Sequence, residues 1–471
     1  MPKAVGSLSA LSPLDGRYQS ELTELASFFS EQALNRYRIQ VEVACLIELS
    51  QEANFGPEAL SPENQTRLEE LARLSPEDAT IIKAIETEGW QDMLPTQHDV
   101  KAVEYYLQYR LREAGLDAYL PWLHFGLTSE DVNNLAYALM LRDSTNQAMV
   151  PALNALVERL TLLAHDFADL PMLARTHGQA ASPTTFGKEM RVFAERLRGQ
   201  LKTLQQATIA VKLNGASGNY NAFVVAAPDQ DWLEYSGRVI DRLARLAKSD
   251  ESGVSLVENQ FTTQIEPHDS YVELFQIYTR INTIVLDLNQ DMWRYISDGW
   301  LVQQKLPGQV GSSTMPHKVN PIDFEKSEGN LGVANALLEF FARKLPVSRL
   351  QRDLSDSTVE RNFGVALGHS WLAHQSTLKG LMKCAVNDEK IEADLVAHPE
   401  VLAEAIQSVL RAEGVTDAYE QLKALTQGKP MTQVVLAEFV EGLELPSATK
   451  KRLLALTPIS YIGLAAKLAK K

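Results

Sequence analysis

Tyr271-Val-Glu-Leu-Phe-Gln-Ile-Tyr-Thr-Arg-Ile-Asn-Thr-Ile-Val-Leu-Asp-Leu-Asn-Gln-Asp-Met-Trp-Arg-Tyr-Ile-Ser-Asp-Gly-Trp300 decides the fold class of this chain. Its apolar positions Leu274, Ile277, Ile281, Ile284 and Leu288 step by 3, 4, 3 and 4. In Phe186 to Val211, the positions Phe186, Met190, Phe193, Leu197, Leu201 and Leu204 step by 4, 3, 4, 4 and 3. Such near-heptad stripes arise when long helices lie side by side at shallow crossing angles. Residues 131–165 and 324–345 repeat the pattern, and no strand-like alternation competes with it. The spacing predicts an all-α chain built on a long helical bundle.

The chain has 471 residues, too many for one ordinary core, so two or three domains are expected. Forty-five basic against sixty acidic residues leave a net charge of −15, with no Lys/Arg cluster, which argues against nucleic acid and anionic membranes as partners. Cys45 and Cys384 lie far apart and match no metal or redox spacing. The first ten residues lack the apolar core of a signal peptide, and no run approaches the ~18 apolar residues of a membrane span. A cytoplasmic protein is expected.

Shorter helices are expected over Ser20–Ala53 and Ser61–Glu88, the latter stretch with a helix start at Ser75-Pro76-Glu77. Pro95-Thr96 is read as opening a helix with His98 and Asp99 in its first turn, and no second ligand pair makes His98-Asp99 a metal site. Thr128-Ser129-Glu130-Asp131 is a strong helix N-terminus, a hydroxyl followed by acids, and such termini also bind anions. His177 stands in a loop ahead of a helix start at Ser182-Pro183, and Lys248–Gln260 reads as an irregular surface insertion. After residue 370, shorter helices break at Asn387, Gly414, Gly428-Lys-Pro430 and Pro446. Leu306–Glu325, between two long helical patterns, is a long loop rich in donors: Ser312, Ser313, Lys318 and Asn320 suit an anionic ligand, while an ordinary capped connection would use the same serines. Arg349–Arg361 gathers arginines and hydroxyls, which in an acidic protein suits a phosphate better than plain surface.

Gly311-Ser-Ser-Thr-Met-Pro-His-Lys-Val-Asn320 resembles the signature loop G-S-S-x-M-P-x-K-x-N of the fumarase/aspartase superfamily of elimination enzymes. Further blocks are similar to its adenylosuccinate lyase family, bacterial type, in the family's order: Asp15-Gly-Arg-Tyr18, Thr96-Gln-His-Asp99, Thr128–Asp131, Arg175-Thr-His-Gly-Gln179, Asn214–Asn219, the Gln264 segment, Val319–Glu325 and Arg352–Arg361. Lys326 departs from the Asn expected there, and Glu360 falls at a variable position of the pattern R-D-x-[ST]-D-S-T-x-x-R. The resemblance implies three helical domains, at 1–120, 121–369 and 370–471, the central one a long bundle of the fumarase/aspartase type.

It also implies β-elimination of fumarate from adenylosuccinate and from the related succinyl-carboxamide ribotide, with no cofactor and no metal. By the same resemblance Ser312 is the general base and His177 the general acid. Ser313, Lys318, Val319 and Asn320 face the substrate and the developing charge, and Arg17 and Tyr18 contact the nucleotide. Gln97, His98, Asp99, Thr128, Ser129, Gln264, Arg352, Ser357, Thr358 and Arg361 complete the implied substrate contacts, His98 either sharing the acid–base work or orienting substrate. A homotetramer with active sites shared between subunits is implied. The alternatives are another lyase of the superfamily, such as an argininosuccinate lyase, and a catalytically silent scaffold.

Overall fold

The computed structural model describes residues 7–52, 55–246, 253–304, 315, 318–426 and 431–471. Its longest helices are Asp269–Ser297, Ile322–Lys344, Phe363–Lys383 and Phe186–Gln205. The chain forms two compact units, residues 1–153, 200–283 and 329–374 in one, and 154–199, 284–328 and 375–471 in the other.

In the first unit the helix Glu31–Leu49 is buried on nearly every face, Asn35, Arg38, Glu42 and Glu48 included, with Ser30 capping it by accepting from the Ala33 N–H. Asp99–Glu113, Pro62–Leu71 and Pro76–Thr87 pack on it through Ile39, Val43, Leu68, Ile82, Tyr106 and Leu107. Ser75 and Asp78 form the capping box expected at Pro76. The long helices meet through rings: Phe363 lies 5.0 Å from Phe275, 5.5 Å from Phe341 and 5.8 Å from Tyr137, centroid to centroid. Beside them the Asn282 amide donates to Ser370 Oγ (2.9 Å), satisfying a buried polar group between helices.

The second unit holds the other halves of the same long helices. There the Asn289 amide donates to Ser327 Oγ (2.8 Å), and Thr377 Oγ1 donates back to Asn289 Oδ1 (2.9 Å). The C-terminal helices enclose a separate core of Leu402, Ile406, Leu410, Leu436, Val440 and Leu453.

Short strands depart from the uniform helical pattern. Phe186–Gln205 ends where Thr208–Val211 begins, and that strand pairs in parallel with Ser255–Glu258. The expected helix to Val211 and, within the insertion expected at 248–260, the irregularity over Ser255–Glu258 are corrected, while 248–252 lie outside the described residues: Ile209 and Val211 are buried and β-branched, so the sheet outcompetes the helix there. Ser182-Pro183 likewise starts no helix. It lies in Gln179–Thr185, antiparallel to Pro171–Thr176, and the helix opens at Phe186 with Thr185 Oγ1 accepting from the Lys188 N–H. The helix expected from Pro95 opens at Asp99, because Gln97 takes a left-handed φ of 51° and His98 Nδ1 caps the Lys101 N–H (3.2 Å). Of the late breaks, Asn387 caps a helix, Pro446 precedes one and Gly414 takes φ 86°, while 428–430 lie outside the described residues.

Gly187, near the start of its helix, sits against backbone: a Cβ there would lie 2.3 Å from the Ala164 carbonyl oxygen and 2.6 Å from the Ala168 nitrogen. Gly187→Ala is therefore expected to cost about 1–3 kcal/mol in urea unfolding. An unchanged midpoint would mean that the 164–168 turn yields without strain.

Candidate active site

The helix Ser129–Ser144 carries Asp131 in its first turn, wholly buried. Asp131 accepts from the N–H groups of Thr128 (2.9 Å), Asn214 (3.0 Å) and Gly215 (3.1 Å), and lies 2.9 Å from Lys212 Nζ. Lys212 is equally buried and donates to the Gly215 carbonyl. The acid of the expected helix start thus works as a bracket, leaving Thr128 and Ser129 half-buried at its rim.

Asp99 opens the helix Asp99–Glu113, and its Oδ2 lies 2.7 Å from both Arg38 and Arg361. Burial works against the ionised form, but the two guanidinium groups outweigh it and hold the carboxyl well below the usual carboxylate range. Arg38 is 2% exposed and is itself oriented by Asn133 (2.9 Å) and Asn35 (3.2 Å).

A third group joins the Arg352–Arg361 block to the Gln264 loop. Arg352 donates to Gln264 Oε1 (3.4 Å), while the Gln264 amide donates to the Ala216 carbonyl (3.0 Å). Beneath them lie the buried side chains Glu130, Asp356, Glu360 and His268. Arg352 is 2.7 Å from Glu130 Oε2 and 3.4 Å from Asp356 Oδ2, and His268 Nε2 is 3.4 Å from Glu360 Oε1. These ion contacts fall short of hydrogen-bond geometry, and both Glu130 oxygens and both His268 nitrogens have no protein hydrogen-bond partner. Burial and the neighbouring Glu360 push the Glu130 carboxyl well above its ordinary range, against the pull of Arg352. Burial opposes protonation of His268, but Glu360, Glu266 and Glu130 more than offset it and raise its pKa.

The other expected site residues have surroundings of their own. The Arg17 guanidinium sits over the Tyr18 ring at 6.0 Å, and the same N-terminal turn lines a cavity of about 510 Å³ with Leu14, Asp15, Gln19 and Arg361. Gln97 and His98 are exposed, Thr358 is exposed and Ser357 half-buried. In the second unit, His177 and Gly178 form the tip of the hairpin with φ of 53° and 75°, the two left-handed residues that a two-residue turn favours, and His177 is exposed. Lys318 is exposed, its N–H donating to the Met315 carbonyl, and the Val319 carbonyl accepts from Gln303 (3.1 Å), with Asn320 half-buried beside it. Ser312 and Ser313 lie outside the described residues.

Arg38, Lys212 and His268 escaped the sequence reading, which took Glu130 only as a helix-start acid and Glu360 only as a variable position. A signal existed for Arg38: Asn35, Arg38 and Glu42 step by 3 and 4 along one face of a helix whose apolar residues Leu34, Ile39, Val41, Val43 and Leu46 already call for burial. Glu42 meets His124 Nδ1 at 2.6 Å, and this carboxylate, acting against burial, raises the His124 pKa.

Among the described residues no cluster of His, Cys, Asp and Glu could hold a metal ion, and no helix is long and apolar enough to cross a membrane. The helical fold, with anion-suited side chains gathered at helix ends, is that of the lyases: residues 16–335 match the lyase family and residues 348–462 the adenylosuccinate lyase C-terminal family. A solved 3-carboxy-cis,cis-muconate lactonizing enzyme from Pseudomonas putida shares the fold, with a TM-score of 0.69 at 20% identity over 95% of each chain. Adenylosuccinate lyases from Haemophilus influenzae and Escherichia coli are each 45% identical, over 99% and 98% of both chains respectively. One from Dictyostelium discoideum is 43% identical over 98% of this chain and 97% of its own. The chain belongs to the adenylosuccinate lyase family of the fumarase/aspartase superfamily, and it is an enzyme.

Asp99→Asn should destabilise the protein by about 1–3 kcal/mol at neutral pH, since a buried cation loses a charged acceptor. The sign follows from the depressed pKa: the stabilisation is present above the ordinary aspartate pKa of ~3.9 and lost as pH falls through the lower folded value. Denaturant midpoints of the two proteins should converge in acid, and a gap that is constant with pH would contradict this assignment.

Proposed function

We propose that this protein cleaves adenylosuccinate to AMP and fumarate, and the succinyl-aminoimidazole-carboxamide ribotide to its carboxamide product (AICAR) and fumarate, in purine biosynthesis. The observation that carries the reading is the meeting of the Thr128-Ser129 helix start, the Gln264 loop and the Arg352–Arg361 block over one buried charged cluster. Each of these stretches matches a family block.

The reaction removes a proton from the carbon beside a carboxylate and protonates the departing nitrogen. The first step builds up a dianion, and each preorganised donor aimed at such charge lowers a barrier by ~3–4 kcal/mol. Ser312 takes the proton as general base, with Ser313, Lys318, Val319 and Asn320 holding the succinyl end. His177 delivers a proton to the leaving nitrogen as general acid, the role that histidine side chains most often fill. Arg17 and Tyr18, with Gln97, His98 and Asp99, receive the nucleotide. Arg352, Ser357, Thr358 and Arg361 hold its phosphate, and Thr128, Ser129 and Gln264 complete the cradle. Adenylosuccinate carries about four negative charges, two carboxylates and a phosphate near −2. Asp99 is shared by two arginines, which leaves net positive charge where an anion can use it. The protein acts in the cytoplasm as a homotetramer, and the exposure of His177, His98, Arg17 and Lys318 supports sites that neighbouring subunits complete.

Fumarate release from adenylosuccinate, with argininosuccinate in a parallel tube, tests the reading. Release from the first alone is expected, and release only from the second, or from neither, would overturn it. Ser312→Ala and His177→Ala should each lower kcat by ~10²-fold or more while leaving the fold intact. Near-normal turnover in either variant would remove its assigned role.

A further inference from the structure

The cluster beneath Arg352 contains more buried charge than packing requires. Glu360 is 2% exposed, His268 1% and Glu130 1%, and several of their polar atoms lack a protein hydrogen bond. Replacing such groups by apolar ones of similar volume often leaves a fold as stable or more so. What the cluster does have is placement. Glu130 follows Ser129, Asp356 precedes Ser357, Glu360 precedes Arg361, and His268 ends the segment that begins at Gln264. Glu130, Asp356 and Glu360 thus each adjoin in sequence a residue that the preceding section assigns to substrate, and His268 lies four residues from Gln264. Those rim residues lie on three separate stretches, and the bond that joins two of these at the rim, Arg352 to Gln264, is long at 3.4 Å.

We propose that Glu360 and His268 are positioning residues for the phosphate end of the substrate. Their buried contact clamps the short helix Ser355–Glu360 to the Gln264–His268 segment and so sets the direction of Arg361 and, through Glu130 and Asp356, of Arg352. Neither side chain touches the reacting atoms. The raised His268 pKa agrees with this, since an imidazolium holds a carboxylate more firmly than a neutral ring does. The inference rests on the reading of Arg352–Arg361 as the phosphate-binding block.

Calorimetric titration of the full-length protein with AMP and with adenosine tests it, because the two probes differ only in the phosphate. Glu360→Leu should weaken AMP binding ~10-fold while adenosine changes by less than about twofold. Glu360→Gln keeps the volume and removes only the charge, so it answers the question should the leucine variant fail to fold, and the same selective loss is expected. His268→Gln should reproduce it, and the Glu360→Gln/His268→Gln double variant should be no worse than either single change. Equal losses for AMP and adenosine would make the pair merely structural and overturn the proposal. Unchanged AMP binding in folded variants would also overturn it, leaving the phosphate reading intact. A wild type that binds no AMP would remove the phosphate reading itself, and this inference with it.

Discussion

Asp131 and Lys212, both sealed from water and 2.9 Å apart, form the contact on which the Thr128 helix start and the glycine turn at 214–219 depend. Removing one partner of such a pair costs ~3–5 kcal/mol, because the other charge is left buried alone. Here the desolvation of Asp131 is offset by three backbone N–H donors as well as the ammonium. Asn134 bonds the Lys212 backbone from both sides, accepting from its N–H and donating to its carbonyl. One carboxylate therefore ties a helix start to a glycine turn. The turn is held in turn to the Gln264 loop: Asn214 donates to Thr262 Oγ1 (2.8 Å), and a Cβ on Gly218 would lie 2.4 Å from the Thr262 carbonyl. Only glycine permits that approach, and at φ 78° it is also the residue least strained.

An acidic protein with a polyanionic substrate must solve a local charge problem. Cations in loops are one part of the answer, but Arg352 and Arg361 are not bare cations. Arg361 shares Asp99 with Arg38, and Arg352 lies against Glu130 and Asp356. The carboxylates fix direction at the expense of charge, but Asp99 answers two arginines at once, so part of the positive charge remains. A guanidinium already oriented loses less freedom on binding than a flexible one would.

The helices were legible because apolar residues recur at fixed intervals, and that period survives whatever the loops do. The caps at Ser75 and Thr128 were legible for a similar local reason. The hairpin around His177 was not, because Gln-Ala-Ala-Ser-Pro carries no strand alternation and Ser-Pro imitates a helix start. Pairing between distant stretches, such as Thr208–Val211 with Ser255–Glu258, leaves little mark on either one alone. At the site, the motif blocks marked side chains at the rim. They passed over Arg38, Lys212, His268 and Glu360, whose roles come from burial among one another, a property of the folded chain. Glu360 is the clearest case: an open position in a pattern is the buried partner of a histidine 92 residues away, from 360 back to 268.

The central claim is that the buried charges hold the Thr128, Gln264 and Arg352–Arg361 segments as one preformed receptor for the nucleotide phosphate. A crystal structure of the protein with AMP bound tests it most directly. The account predicts phosphate oxygens within hydrogen-bond range of Arg352, Arg361 and the Ser357 and Thr358 hydroxyls, with Glu130, His268 and Glu360 unmoved beneath them. AMP bound elsewhere, or a cluster that reorganises to admit it, would contradict the account.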